Sequence, residues 1–417
     1  MKIRRAAAAL AVTAVLGSAS APAAFADGAV RAASPSPSSS VALPAGLYGS
    51  GDPTYDGVWR QSLALLAQDA VGVTPAPSAV RWLGDQQCAD GGFAAYRAQP
   101  ATACDAKTPV DTNSTAAAVQ ALSALGRGSE AKKAVEWLRS VQNADGGWGY
   151  LPGAPSDTNS TGLVVGALLS GGTAPSGVRS KEKGATPEQA LLKLALPCSA
   201  EGGGAFAYQP DKKGNLVAND DATAAGVLGG LGLTLVLAPA ADRDAPGTCV
   251  KARTGADAAR NGALHLAEAL AADGHLSSSM PGAEDQPDHG TTADAVVALT
   301  AAGLGDRTER AVAWLERESA GWAERTGPAA WAQLVLTAHA AGADPRDFGS
   351  TDLVAQLNAT GPEPASVPEA AGEDPHGAKS DDGWFSWNLL SGLLLALGLA
   401  AAGVAARFLV LRARRRR

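Results

Sequence analysis

At 417 residues, 46% of them apolar, the chain is long enough to bury a large core, and with only 5% aromatic residues it must build that core from aliphatic side chains. Its 34 basic residues are outnumbered by 41 acidic ones, and nine of the basic residues lie at the two extreme ends. The body between those ends carries a net charge of −16, which repels nucleic acid and anionic lipid and excludes nucleic-acid binding.

Lys2, Arg4 and Arg5 precede the apolar run AAAALAVTAVLGSAS, and Ala24-Phe25-Ala26 supplies a small-residue cleavage pattern. Residues 1–26 are therefore expected to be a secretory signal peptide. A Ser/Pro-rich leader over residues 27–51 follows. Export makes disulfides the natural fate of the four cysteines. Cys88 and Cys104 bracket one loop, which leaves Cys198 to pair with Cys249. No C-x-x-C spacing occurs, and His265, His275, His289 and His339 are scattered, so neither a metal nor a cofactor is expected.

Residues 52–359 are rich in Ala, Leu and Gly and divided by Gly/Pro loops, a helical composition. Twelve helices are predicted to begin near Gly57, Ser78, Thr112, Ser129, Thr158, Pro187, Asp220, Gly255, Gly290, Asp306, Thr326 and Thr351. They alternate between two kinds. One kind opens with a polar cluster and continues with small residues: Asp111-Thr-Asn-Ser-Thr115, Asp157-Thr-Asn-Ser-Thr161, Asn219-Asp-Asp-Ala-Thr223 and Asp288-His-Gly-Thr-Thr292. The other kind carries Trp-Leu on its buried face, at Trp82-Leu83, Trp137-Leu138 and Trp314-Leu315, and twice ends in Asp-Gly-Gly-aromatic. Six helical hairpins within one domain's length predict an all-α fold closed into an (α/α)6 toroid. An open solenoid of the TPR or HEAT kind is the competing arrangement, but it has short, regular loops, whereas these vary widely.

A Pro/Glu/Ala-rich stalk is expected over residues 360–383. Beyond it, residues 384–411 read as a single transmembrane helix, with Trp384, Phe385 and Trp387 as an outer aromatic belt. The basic tail of residues 412–417 would remain in the cytoplasm, leaving the toroid outside the cell.

The runs QQCADGGFAAY and QNADGGWGY resemble the Gln-x-x-x-Gly-x-Trp repeat of squalene–hopene cyclases and the related prenyltransferase repeat. VDTNSTAAAVQAL and DTNSTGLVVGAL are similar to the helix starts of the cobalamin carriers intrinsic factor and transcobalamin. The resemblance is strongest between Trp82 and Leu168 and implies the α/α-toroid that these families share. It identifies a fold better than a ligand.

In such a ring the inner helices run parallel, so their polar starts gather around one mouth. Asp111, Asn113, Thr115, Asp157, Asn159, Thr161, Asp220, Asp221, Thr223, Asp288 and Thr292 are the candidate ligand-binding residues, with Trp148 and Tyr150 beside them. The plainer role for each is helix capping or packing. Three functions compete. An enzyme of the terpene-cyclase kind needs an Asp-x-Asp-Asp-Thr-Ala run, from which ANDDATAAG at Ala218 departs at its first aspartate and by the insertion of Ala222. A ligand-capture protein on the outer face of the membrane, taking a corrinoid or similar small molecule, matches the carrier-like helix starts. An interaction module for an envelope protein or glycan fits the same anchored architecture.

Overall fold

Side-chain oxygens at the helix starts do what short polar residues do there, accepting otherwise unpaired backbone N–H groups. Asp111, Asp157, Asn219, Asp288 and Asp352 each cap a helix in this way. Thr186 and Thr254 form reciprocal capping boxes with Gln189 and Asp257. The computed structural model describes residues 44–237, 247–278 and 285–368. Within them lie α1 (Gly57–Ala70), α2 (Pro77–Asp85), α3 (Thr112–Ala124), α4 (Gly128–Ser140), α5 (Thr158–Ser170) and α6 (Pro187–Leu194). These are followed by α7 (Asp220–Leu231), α8 (Gly255–Ala271), α9 (His289–Ala301), α10 (Glu309–Thr326), α11 (Pro328–Ala341) and α12 (Leu353–Ala359). Each begins within three residues of its expected start. Two short antiparallel pairs, β1 (Phe93–Ala94) with β2 (Val110–Asp111) and β3 (Leu276–Ser278) with β4 (Gln286–Asp288), join turns to the helix starts that follow.

The even-numbered helices are amphipathic; α4 buries Ala131, Ala134, Val135, Trp137 and Leu138, one face of a helix. Trp82, Trp137 and Trp314 are buried in this layer, each followed by a fully buried leucine. The odd-numbered helices are instead buried nearly all round, as in Ala116 to Leu122 of α3. The reason is their position. α1, α3, α5, α7, α9 and α11 pack in succession, and α11 packs back onto α1, while each even-numbered helix packs on the odd one before it. Asn159, the second residue of α5, donates to Asp221, the second residue of α7. Gln333, the sixth residue of α11, donates to Asp294, the sixth of α9, at 2.7 Å. Neighbouring inner helices therefore run in the same direction without stagger. Glycine permits the closest of these contacts: a Cβ on Gly162 of α5 would lie 2.4 Å from the Ala225 carbonyl oxygen of α7.

The ring is sealed where its ends meet. Gln68 of α1 donates to Asn358 of α12 at 2.7 Å and accepts from the Tyr48 hydroxyl at 2.9 Å. Residues 44–51, assigned by composition to the leader, belong in part to the body, since Leu47 and Tyr48 are buried. Cys88–Cys104 and Cys198–Cys249 are both disulfides, which fits an exported domain. The expected signal peptide, the transmembrane helix of residues 384–411 and the basic tail lie outside the described residues. Among the described residues, no helix is long and apolar enough to cross a membrane.

Candidate functional site

One local motif recurs four times around the ring. The hydroxyls of Thr115, Thr161, Thr223 and Thr292 each accept a backbone N–H, from Phe93, Trp148, Phe206 and Leu276 respectively, at 2.9–3.1 Å. Three of them donate in turn to the carbonyl of their own N-cap residue. The threonine thus ties the turn leaving an outer helix to the start of the next inner helix, and all four are fully buried. These threonines, expected at the ligand, are spent on structure. Trp148 is likewise buried, its indole N–H donating to the Leu138 carbonyl at 2.7 Å.

The other expected residues divide between cap and cavity. Asp111, Asp157 and Asp288 are caps. Asp220 pairs with His265 of α8 at 2.9 Å, on the side of α7 facing the outer layer. Tyr150 stands half-exposed, its backbone carbonyl accepting from Thr112 at the start of α3. Asn113, Asn159 and Asp221 line a central chamber of about 380 Å³. Each is the second residue of its helix, so the helical position facing the ring centre, rather than the polar cluster as a whole, selects them.

Inner helices supply the chamber's apolar wall through Leu63, Leu163, Leu228, Val297 and Leu336. Its floor is the segment Leu233–Leu235 following α7, where the Leu235 N–H donates to Gln120 Oε1 at 2.9 Å. Two tryptophans also line it, Trp59 of α1 and Trp322 of α10. Trp322 stacks on His289, whose ring in turn lies 4.6 Å from that of Trp314. Asp294, Gln333, Thr326 and Thr337 add further polar side chains.

Electrostatically the chamber is one-sided. Among the described residues, no lysine, arginine or histidine lines it. Burial pushes Asp294 up to about 7, and the charge of Asp221 adds to this against the donor Gln333. Asp221 is raised too, first by burial, with Asn159 acting in the opposite sense. Asp111, a buried cap, is raised to about 6 by burial despite the Ser114 N–H. Three polar atoms of the chamber residues have no hydrogen-bond partner: Gln120 Nε2, Asn113 Oδ1 and Asn159 Oδ1. Native interiors seldom leave such atoms unpaired. Among the described residues, no group of three or more His, Cys, Asp or Glu is arranged to hold a metal ion.

Trp59, Gln120, Asp294, Trp322 and Gln333 were not among the expected site residues. One signal was available for Asp294, a lone carboxylate inside the otherwise apolar run ADAVVALTA. The tryptophans gave none, because both sit on helices that carry no polar cluster.

No protein-family model matches the chain, and no curated protein matches it in sequence. A solved structure described as the crystal structure of a protein from Actinoplanes aligns over 65% of this chain and 73% of its own, with 18% identity and a TM-score of 0.41. A likeness of that degree assigns no function.

Proposed function

We propose that this protein is a ligand-capture protein of the (α/α)6-toroid class, displayed outside the cell on a stalk and a C-terminal membrane helix. The observation that carries the reading is the central chamber between the inner helices, with an apolar wall and with Asn113, Asn159, Asp221 and Asp294 among its lining residues. About 380 Å³ is within the size range of small-molecule sites. The succession of inner helices from α1 to α11 and back to α1 supports the toroid, and the two disulfides support export.

The carrier-like helix starts make a corrinoid the first ligand to try. Such a macrocycle is larger than the chamber, so it would lie across the mouth near Tyr150 and insert one edge toward Asn113, Asn159 and Asp221. Calorimetry on the full chain in detergent, with cobalamin, cobinamide and unrelated envelope metabolites, tests the reading. Saturable heat with any of them supports ligand capture, and corrinoid heat supports the specific ligand. Silence across the whole panel at high micromolar concentration removes the ligand-capture reading and leaves an envelope interaction module in its place.

A further inference from the structure

Two carboxylates, with no basic side chain among the described lining residues, make an uneven charge for a binding chamber. Asp221 and Asp294 bring carboxylates from neighbouring helices α7 and α9. Asn159 gives its amide N–H to Asp221, which fixes the orientation of that amide and leaves Oδ1 buried without a partner. Asn113 Oδ1 is unpartnered as well. Among the described residues, no basic side chain in the lining offsets this negative character. The two carboxylates disfavour an anionic ligand, and the largely apolar wall does not suit a bare metal ion. The occupant that satisfies both halves is an organic cation, whose N–H groups meet the acceptors while its hydrocarbon meets the leucines.

We propose that the chamber binds an aliphatic amine as its ammonium ion, seated between Asp221 and Asp294, with its hydrocarbon part directed toward the floor. This rests on the ligand-capture reading and specifies the chemical class of the ligand. Trp59 and Trp322 add indole rings to the same chamber, surfaces that attract a partly desolvated cation. Gln333 holds Asp294 in place from α11, donating also to the Gly290 carbonyl at 3.0 Å. At the far end Gln120, only 2% exposed, keeps Nε2 unpartnered while its oxygen is held by the Leu235 N–H. Gly166 makes room there, since a Cβ on it would stand 3.2 Å from that nitrogen. Gln120 is the ninth residue of its helix and Asp221 the second of its own, so the two levels are separated by about 10 Å along the ring axis. A ligand spanning that depth would carry its ammonium at the rim and a hydrogen-bond acceptor at the floor.

The test is calorimetric titration of the full chain in detergent at pH 8 with hexylamine, hexanol, hexanoate and aminohexanol, micelle heats being subtracted. Hexylamine is expected to bind at least tenfold more tightly than hexanol, hexanoate not at all, and aminohexanol more tightly than hexylamine. Asp294→Asn, which keeps the acceptor for Gln333, is expected to erase the preference of amine over alcohol while leaving alcohol binding in place. Asp221→Asn supplies the same comparison if the first variant fails to fold. Equal binding of hexanol and hexylamine overturns the inference but leaves ligand capture standing. Binding of neither also overturns it, and the metabolite panel then decides separately whether any ligand is captured.

Discussion

Asp294 holds a carboxylate in surroundings that favour its neutral form, and this has a measurable cost in the empty protein. Its folded value of about 7 lies above the ordinary carboxylate range, so between roughly pH 4 and pH 7 the folded state retains a proton that the unfolded state has lost. Its contribution to stability therefore falls as pH rises through that window and is constant above it. Asp294→Asn is expected to leave stability nearly unchanged at pH 4 and to raise it at pH 8 by roughly 1–4 kcal/mol, read from urea unfolding at the two pH values. The helix-start threonines behave differently. Thr161→Val leaves the Trp148 N–H unpaired in the core and is expected to cost about 1–3 kcal/mol at any pH, with little effect on ligand binding. An equal loss of binding and stability in Asn159→Ala would instead mark that residue as structural. The sequence located Asn113, Asn159 and Asp221 because they belong to conspicuous polar clusters. It also placed the neighbouring threonines at the ligand, since a hydroxyl that staples a turn looks the same on paper as one that faces a cavity.

Helices and turns were more legible, because their signals are local. A capping aspartate and a glycine at positive φ do their work within a few residues, whatever the rest of the chain does. Gly91 and Gly146, the first glycines of the two Asp-Gly-Gly turns, adopt φ of +102° and +95°. The turns do more than reverse the chain: a Cβ on Gly146 would lie 2.3 Å from the Thr186 carbonyl oxygen, at the start of the next outer helix α6. Gly146→Ala is therefore expected to cost at least about 2 kcal/mol. Gly172→Ala, also at positive φ but with open space around it, is expected to cost about 1 kcal/mol. Similar losses for the two, measured by chemical denaturation, would show that the contact with α6 contributes nothing. The inner helices were harder to interpret because they are apolar on nearly every side. Periodicity cannot separate the face toward a neighbouring helix from the face toward the chamber. Trp59 and Gln120 were missed for that reason.

At the scale of the whole molecule, the two disulfides constrain different things. Cys88–Cys104 closes a separation of 16 residues within one turn region, whereas Cys198–Cys249 spans 51 residues and ties the approach to α7 to the approach to α8. Loop-closure entropy assigns them about 3 and about 4 kcal/mol. Replacing Cys198 and Cys249 together by serine is expected to lower the denaturation midpoint more than replacing Cys88 and Cys104. The reverse order would mean that local strain or residual structure dominates over the entropy of the unfolded chain. Pairing was legible from chain order; the exact extent of the body was not, because Tyr48 becomes part of the core only through partners on α1.

The closing contact of α11 on α1 has a further consequence, for how such a protein can vary. An open stack of helical hairpins has two free ends and gains or loses units there at modest cost. A ring has none. Removing the α5–α6 hairpin would not shorten the molecule but oblige α3 to meet α7 around a smaller circumference, with every remaining inner interface re-angled and the central space closed. The number of hairpins and the width of the central space are thus linked, and a change in one obliges a change in the other.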